Sequence, residues 1–204
     1  MRSGLHLTRR TAMAAAALVA VVALIVLVVV VAQGRGEDDA TADDISQVLD
    51  PIAGAADATD AVALVNGAPI SKYRLEGTIA TSGESREKVL DALIEYELLY
   101  QEGVRLGLQA TDDAVEKAIA QTRETASPSI VEAAIELARE QGITMDEETY
   151  WSHPLTIEAT RKSLTVGAAR EALLAGVEPQ RRDEALAERL ALLRSAADIE
   201  IREP

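Results

Sequence analysis

Side chains able to act in catalysis or metal binding are few in this chain of 204 residues. There is no Cys, and the two histidines, His6 and His153, are far apart in sequence. Without Cys the chain can form no thiolate and no disulfide, and two distant histidines are too few ligands for a zinc site. The acidic runs 112–113 and 146–148 lack the alternating oxygen ligands and central glycine of a calcium loop, and we expect them to begin helices. The sequence predicts no catalytic residue, cofactor or metal site.

The net charge of −14 is distributed unevenly along the chain. Arg2, Arg9 and Arg10 precede a long apolar run, whereas all 34 acidic residues lie at Glu37 or later. Nucleic-acid binding requires a basic face for the phosphates, and none is visible. We therefore expect no nucleic-acid partner.

The densest aromatic cluster is Tyr150, Trp151 and His153 beside Pro154. It can anchor a peptide, because aromatic side chains supply a large contact area with few rotatable bonds. Alternatively, Trp151 fills the core at a helix junction and His153 ends a turn. The second interpretation is favoured, since buried aromatic residues usually serve packing.

Residues 87–108 predict a central helix whose apolar arc is wider than half its circumference. Tyr96 and Tyr100 share one face of it. Glu97 falls inside the apolar arc. Its carboxylate is either buried and paired with Arg161 or Arg170, or it reaches water along the surface, which is the interpretation that we favour. If neighbouring helices cover the whole apolar arc, the arc is part of the core. If one side of it stays exposed, another polypeptide (a client) can bind there. The candidate client-binding residues are Tyr96, Tyr100, Tyr150 and Trp151.

The other elements follow from turn and cap signals. Asn66-Gly67 predicts a two-residue hairpin turn, and the alternating residues 199–202 predict a last strand that pairs beside the first. Helices are predicted after Ser71, Thr111, Ser127, His153 and Pro179, and a capping box at 144–147. The predicted fold is mainly α, with a small β-sheet formed by the first and last strands.

The N-terminal part predicts a membrane anchor. Residues 11–34 carry no charge, and 11–32 are long enough to span a bilayer. The preceding arginines predict a cytoplasmic N-terminus at 1–10 and an extracytoplasmic remainder. The alternative is secretion after signal cleavage near Ala32. Residues 33–60 are acidic and predict a flexible linker, with an acidic docking tail as the alternative, and 61–204 form the exported helical domain.

The stretches AVALVNGAPISKYRL and LDALIEYELLYQEGVRLGLQATDDAVEKAI, with the terminal ADIEI, resemble the N-terminal chaperone region of the SurA and PrsA foldases. In that family a Val-Asn-Gly hairpin opens the module, and a helix with Leu-Ile and Leu-Leu pairs forms its centre. The resemblance covers about residues 61–121 well and the later helices less specifically. The matching residues are Val65, Asn66, Gly67, Leu93, Ile94, Leu98, Leu99 and Gly107, with Leu108, Thr111 and Asp112 continuing the pattern.

The resemblance implies a chaperone-like protein that binds non-native or client polypeptides. Family members commonly carry a parvulin-type prolyl isomerase domain, and no segment here has its strand content or paired histidines. We therefore expect no isomerase activity and no enzyme function. The alternative is a structural or accessory subunit that binds one specific envelope or membrane protein. The sequence does not fix the oligomeric state.

Overall fold

A computed structural model describes residues 60–126, 128–140 and 143–202. The predicted N-terminus 1–10, the anchor 11–32 and nearly all of the linker 33–60 lie outside these residues. No helix in the described part is long and apolar enough to cross a membrane. The elements are β1 (Ala61–Val65), β2 (Ala68–Ser71), α1 (Lys72–Ser82), α2 (Arg86–Arg105), α3 (Asp112–Thr125), α4 (Pro128–Glu140), α5 (Glu147–Tyr150), α6 (Pro154–Leu173), a 3₁₀ turn (Pro179–Arg181), α7 (Arg182–Ala196) and β3 (Ile199–Ile201).

The three strands form one antiparallel sheet in the order β2-β1-β3. Asn66 and Gly67 both have positive φ, 51° and 84°, which is the backbone of a two-residue hairpin turn. Val65 pairs with Ala68 on one side and with Ile199 on the other. The mainly helical fold, the hairpin and the pairing of the last strand beside the first are therefore confirmed.

Helix α2 is the hub of the described part of the chain. Leu93, Ile94 and Leu98 pack with the sheet and α1, whereas Tyr96 and Leu99 pack with α6 and α7. The wide apolar arc is thus core over most of its length. Val104 and Leu106 are exceptions, 43% and 41% exposed.

Helix α2 ends earlier than the sequence predicts. Its last helical residue is Arg105, not the predicted Leu108, because Gly107 has a φ of 71°. The amides of Gly107 and Leu108 donate to the carbonyl oxygens of Val104 and Gly103, which is a Schellman ending. Gly107 thereby supplies the predicted helix stop.

Helix α2 approaches α6 closely at Gly103. A Cβ atom on Gly103 would lie 2.8 Å from the Thr165 methyl and 3.0 Å from the Thr165 carbonyl oxygen. Side chains in α6 can shift, but its backbone carbonyl cannot move without moving the helix. The missing side chain at Gly103 therefore sets the spacing of the two helices.

Most predicted helix starts are confirmed, and one is wrong. The Ser71 and Thr111 side chains accept from Arg74 N and Ala114 N, as expected of caps. The capping box does not begin at Thr144. Asp146 Oδ1 accepts from Thr149 N at 2.8 Å, and Thr149 Oγ1 accepts from Asp146 N at 2.9 Å. A carboxylate two residues later, paired with a threonine, provides the same reciprocal bonds.

We predict that Gly103→Ala destabilises the protein by about 1–3 kcal/mol, since overpacking outweighs the better helix propensity of alanine. Gly167→Ala is the matched control, because Gly167 is also helical but a Cβ there meets nothing within 4 Å. The control should raise stability by about 0.5–1 kcal/mol. Urea unfolding measures both. A neutral or stabilising Gly103→Ala would mean that the helices are not held at this distance.

Candidate functional site

An open groove of about 750 Å³ lies between α3, the turn after α5, and the first half of α6. One face of α3 lines it, at positions 112, 115, 116, 119, 120, 123 and 124. This spacing of three, one and three residues brings side chains onto one side of a helix. The opposite wall is made by Glu148, Trp151, Ser152, Ile157 and Arg161.

The groove has an apolar floor and a charged rim. The floor consists of Val115, which is fully buried, with the partly buried Ile119, Trp151 and Ile157. The rim carries the carboxylates of residues 112, 116, 124 and 148 and the guanidinium groups of Arg123 and Arg161. Such a surface offers burial to an apolar ligand and orientation by charge.

The start of α3 is fixed to α6 by two side chains. Thr165 Oγ1 accepts from Ala110 N at 3.1 Å, and Arg161 Nη1 donates to Ala110 O at 3.0 Å. Arg161 Nη2 also pairs with Asp112 at 2.9 Å. One end of the groove therefore has a defined geometry that depends on α6.

Trp151 belongs both to a small core and to the groove. Its ring meets that of Tyr150 edge-on, with centroids 4.9 Å apart, and both pack against the cluster of Val131, Ile135, Ala138 and Met145. His153 Nδ1 accepts from Leu155 N at 3.3 Å and caps α6. These contacts agree with the interpretation that Trp151 fills a core and His153 ends a turn. Trp151 also lines the groove, where a ligand would lie.

Tyr96 and Tyr100, the other two candidates, lie away from the groove on α2. Tyr96 is 1% exposed, with the Arg74 guanidinium 4.7 Å and Lys162 Nζ 5.7 Å from its ring centre. Tyr100 is partly buried, 5.0 Å from Lys162 Nζ. The tyrosines of α2 and the aromatic pair at 150–151 are therefore not brought into one site.

Glu97 is buried, against the favoured interpretation that its carboxylate reaches water. It is 4% exposed, and its Oε2 accepts from Lys162 Nζ at 2.7 Å. The expected partners, Arg161 and Arg170, are not the ones used. Position 162 lies one residue after Arg161, and α6 turns this residue toward α2.

The residues that carry the family resemblance lie in the sheet and α2. Leu93, Ile94, Leu98 and Leu99 are core, and Val65 lies in β1. Asn66 has the most polar contacts of them: Nδ2 donates to Gln101 Oε1 at 2.7 Å, and Oδ1 accepts from Asp198 N at 2.8 Å. Gln101 Nε2 in turn donates to Val65 O and to Glu97. These contacts join the hairpin, α2 and β3.

The acidic runs serve helix starts. Asp112 pairs with Arg161, and hydrogen bonds from the Thr149 side chain and amide lower the pKa of Asp146. No group of three or more His, Asp or Glu side chains able to hold a metal is found in the described ranges.

A smaller cleft of about 400 Å³ lies between α2 and α7, lined by Glu95, Asp183, Leu186, Leu190 and Arg194 with two alanines. Burial raises the pKa of Glu95, although Arg194 opposes the shift. Arg194 already pairs with Asp91. With two leucines and no aromatic ring, this cleft offers less apolar surface than the groove.

Sequence reasoning did not identify the groove, because it placed the open face on α2. A signal existed in α3, where Val115 and Ile119 repeat at a helical step beside charged residues. That stripe fits a fully covered helix equally well. Only the tertiary arrangement leaves Ile119 and Ala120 beside an open space.

We predict that the Tyr150 phenol limits stability at high pH. Burial raises its pKa from 10.0 to about 12. The folded state favours the neutral phenol, so this contribution is complete below about pH 10 and is lost as the pH rises toward 12. Between about pH 9 and about pH 11, the chain should lose about 1 kcal/mol more unfolding free energy than Tyr150→Phe. Equal losses in the two proteins would contradict the buried phenol.

We predict that Lys162→Met lowers the unfolding free energy by about 2–3 kcal/mol. Removing one partner leaves a buried carboxylate uncompensated. The loss falls below that of a fully dry pair because the Lys162 side chain is 21% exposed. Glu97→Gln in the same background should restore much of it. Lys88→Met removes the exposed pair with Glu84 and should cost less than about 1 kcal/mol. Equal effects of both lysine variants in urea unfolding would refute the distinction.

Comparison with known proteins adds no assignment. No family model matches the chain, and no curated protein and no solved structure matches it either. The resemblance of residues 61–121 to the SurA and PrsA chaperone region therefore stays a prediction.

Proposed function

We propose that this protein is chaperone-like and binds non-native segments of client polypeptides in the groove between α3, α5 and α6, without catalysis. The observation that carries the proposal is the open apolar floor of Val115, Ile119, Trp151 and Ile157. Exposed apolar concavities rimmed by polar residues are typical of interaction sites.

The dimensions of the groove favour a short peptide segment as the ligand. Its volume of about 750 Å³ lies within the range of pockets that bind small ligands, roughly 300–1,000 Å³. A few side chains fill such a space, whereas a folded partner needs a broad surface. Unfolded chains expose apolar side chains in this form, and folded proteins largely bury them.

The proposal includes a membrane anchor and an extracytoplasmic location, and the sequence supports both. The apolar residues 11–32 and the arginines before them favour a single span with the N-terminus inside. The negative charge of residues 33–60 disfavours their contact with anionic lipid. Secretion after cleavage near Ala32 would place the same groove outside the membrane.

We further propose that the fold is of the SurA N-terminal type without an isomerase domain. Support comes from the Asn66-Gly67 hairpin, the central α2 and the last strand beside the first. Asn66 bonds to both Gln101 and Asp198, which gives the shared Val-Asn-Gly motif a structural reason. These features concern the fold, and the peptide-binding function rests on the groove.

The test is suppression of aggregation by the full chain in detergent micelles, with several unrelated unfolded proteins as clients. We expect suppression at near-stoichiometric ratios. Ile119→Gln and Ile157→Gln should each weaken it about tenfold, because losing one apolar contact costs roughly 1.5 kcal/mol. Leu192→Gln is the control, since Leu192 is 60% exposed on α7 and does not line the groove. The same preparations should not accelerate prolyl isomerisation of a test peptide.

Three results would contradict the proposal. Suppression that survives both groove variants would remove the groove from the function. Absence of suppression, with capture of a single envelope protein, would favour the accessory-subunit alternative. Clear isomerase turnover would overturn the expected lack of catalysis.

A further inference from the structure

The rim of the groove has an excess of uncompensated negative charge. Asp112 is neutralised by Arg161, which also contacts Glu158 at 3.5 Å. Glu116, Glu124 and Glu148 remain, against the single charge of Arg123. None of these four forms an ion pair or a side-chain hydrogen bond with any side chain that the structure describes.

We infer that the groove selects apolar segments, in extended form, that carry two Lys or Arg residues four positions apart. This inference rests on the proposed function and names its ligand class. The apolar floor supplies the burial, and the unpaired carboxylates supply complementary charge. A solvated acidic face alone would not be a site, but these carboxylates flank an open apolar floor.

The spacing of the basic residues follows from α3. Glu116 and Glu124 are two helical turns apart, or about 12 Å along the axis. Four residues of an extended peptide cover about 13 Å at roughly 3.3 Å each, and side chains four positions apart point to the same side. Two basic side chains at this interval can reach both carboxylates while the residues between them contact Ile119.

The charge also argues against other occupants. The preceding segment of this chain, 37–60, is acidic and would be repelled by the rim. Anionic lipid is disfavoured for the same reason. A second copy of this domain carries the same negative excess. A basic segment of another polypeptide is the complementary ligand.

The experiment uses the only tryptophan in the sequence as a reporter, because Trp151 lines the groove. The full chain in neutral detergent is titrated with three tryptophan-free peptides of the same apolar composition. They carry two lysines, two serines or two glutamates at positions four apart. We expect the lysine peptide to bind most tightly and the glutamate peptide most weakly. The preference should shrink as salt rises, since exposed charges are screened.

The variant Glu116→Gln/Glu124→Gln should weaken binding of the lysine peptide by up to about tenfold and leave the serine peptide unchanged, since each exposed pair contributes only a few-fold. The double variant Glu132→Gln/Glu188→Gln removes the same charge from α4 and α7 outside the groove and should change neither. All four glutamates are exposed and Glu→Gln is a conservative replacement, so both double variants should fold.

The outcomes separate this inference from the proposed function. Equal binding of all three peptides with a Trp151 response would overturn charge selection and keep the apolar groove. A lysine preference that persists in Glu116→Gln/Glu124→Gln, or is lost in the control pair, would also overturn it. No binding of any peptide would refute the groove itself.

Discussion

The close contact of α2 with α6 at Gly103 is the constraint on which the rest of the described structure depends. The Thr165 methyl group occupies the space where a side chain at 103 would lie. The hydroxyl group of the same threonine accepts from Ala110 N and donates to Arg161 O at 2.7 Å. Arg161 then reaches Ala110 and Asp112 at the start of α3. The helix spacing in the core therefore also fixes one wall of the groove, although no residue of α2 lines it.

A chain of polar contacts defines how α2 sits between its two apolar sides. It runs from Asn66 through Gln101 and Glu97 to Lys162, and so joins the hairpin turn to α6. Leucine contacts tolerate small shifts of one helix along another, but a buried carboxylate needs its cation at one position. We infer that this chain specifies register more than it adds stability, because charge burial is costly even when the charge is paired.

Local signals carried most of the correct sequence predictions. Asn66-Gly67, Thr111 and Gly107 act within a few residues of themselves, so the hairpin and the helix ends were predictable. Glu97 was not, since its burial depends on Lys162, 65 residues away. The exposure of Val104 and Leu106 was not predicted either, because it depends on which neighbouring elements cover the end of α2. The open face was assigned to α2 because its apolar arc is the widest. The width of an arc indicates how much apolar surface must be buried, but it does not indicate which apolar surface stays exposed in the fold.

The groove stays open because α4 and α5 pack against each other and not over α3. Val131, Ile135 and Met145 form a cluster with Tyr73, Tyr150 and Trp151 rather than a lid over Ile119. Among the side chains that the structure describes, this cluster has four buried residues, whereas the one around the sheet and α2 has nine. The wall of α3 and α6 is thus tied to the larger core by Thr165 and Arg161, and the Trp151 wall depends on a smaller cluster. Segments with few buried apolar contacts open at lower free energy than the core. A ligand against Trp151 would therefore contact the more easily deformed wall of the groove while the opposite wall keeps its position.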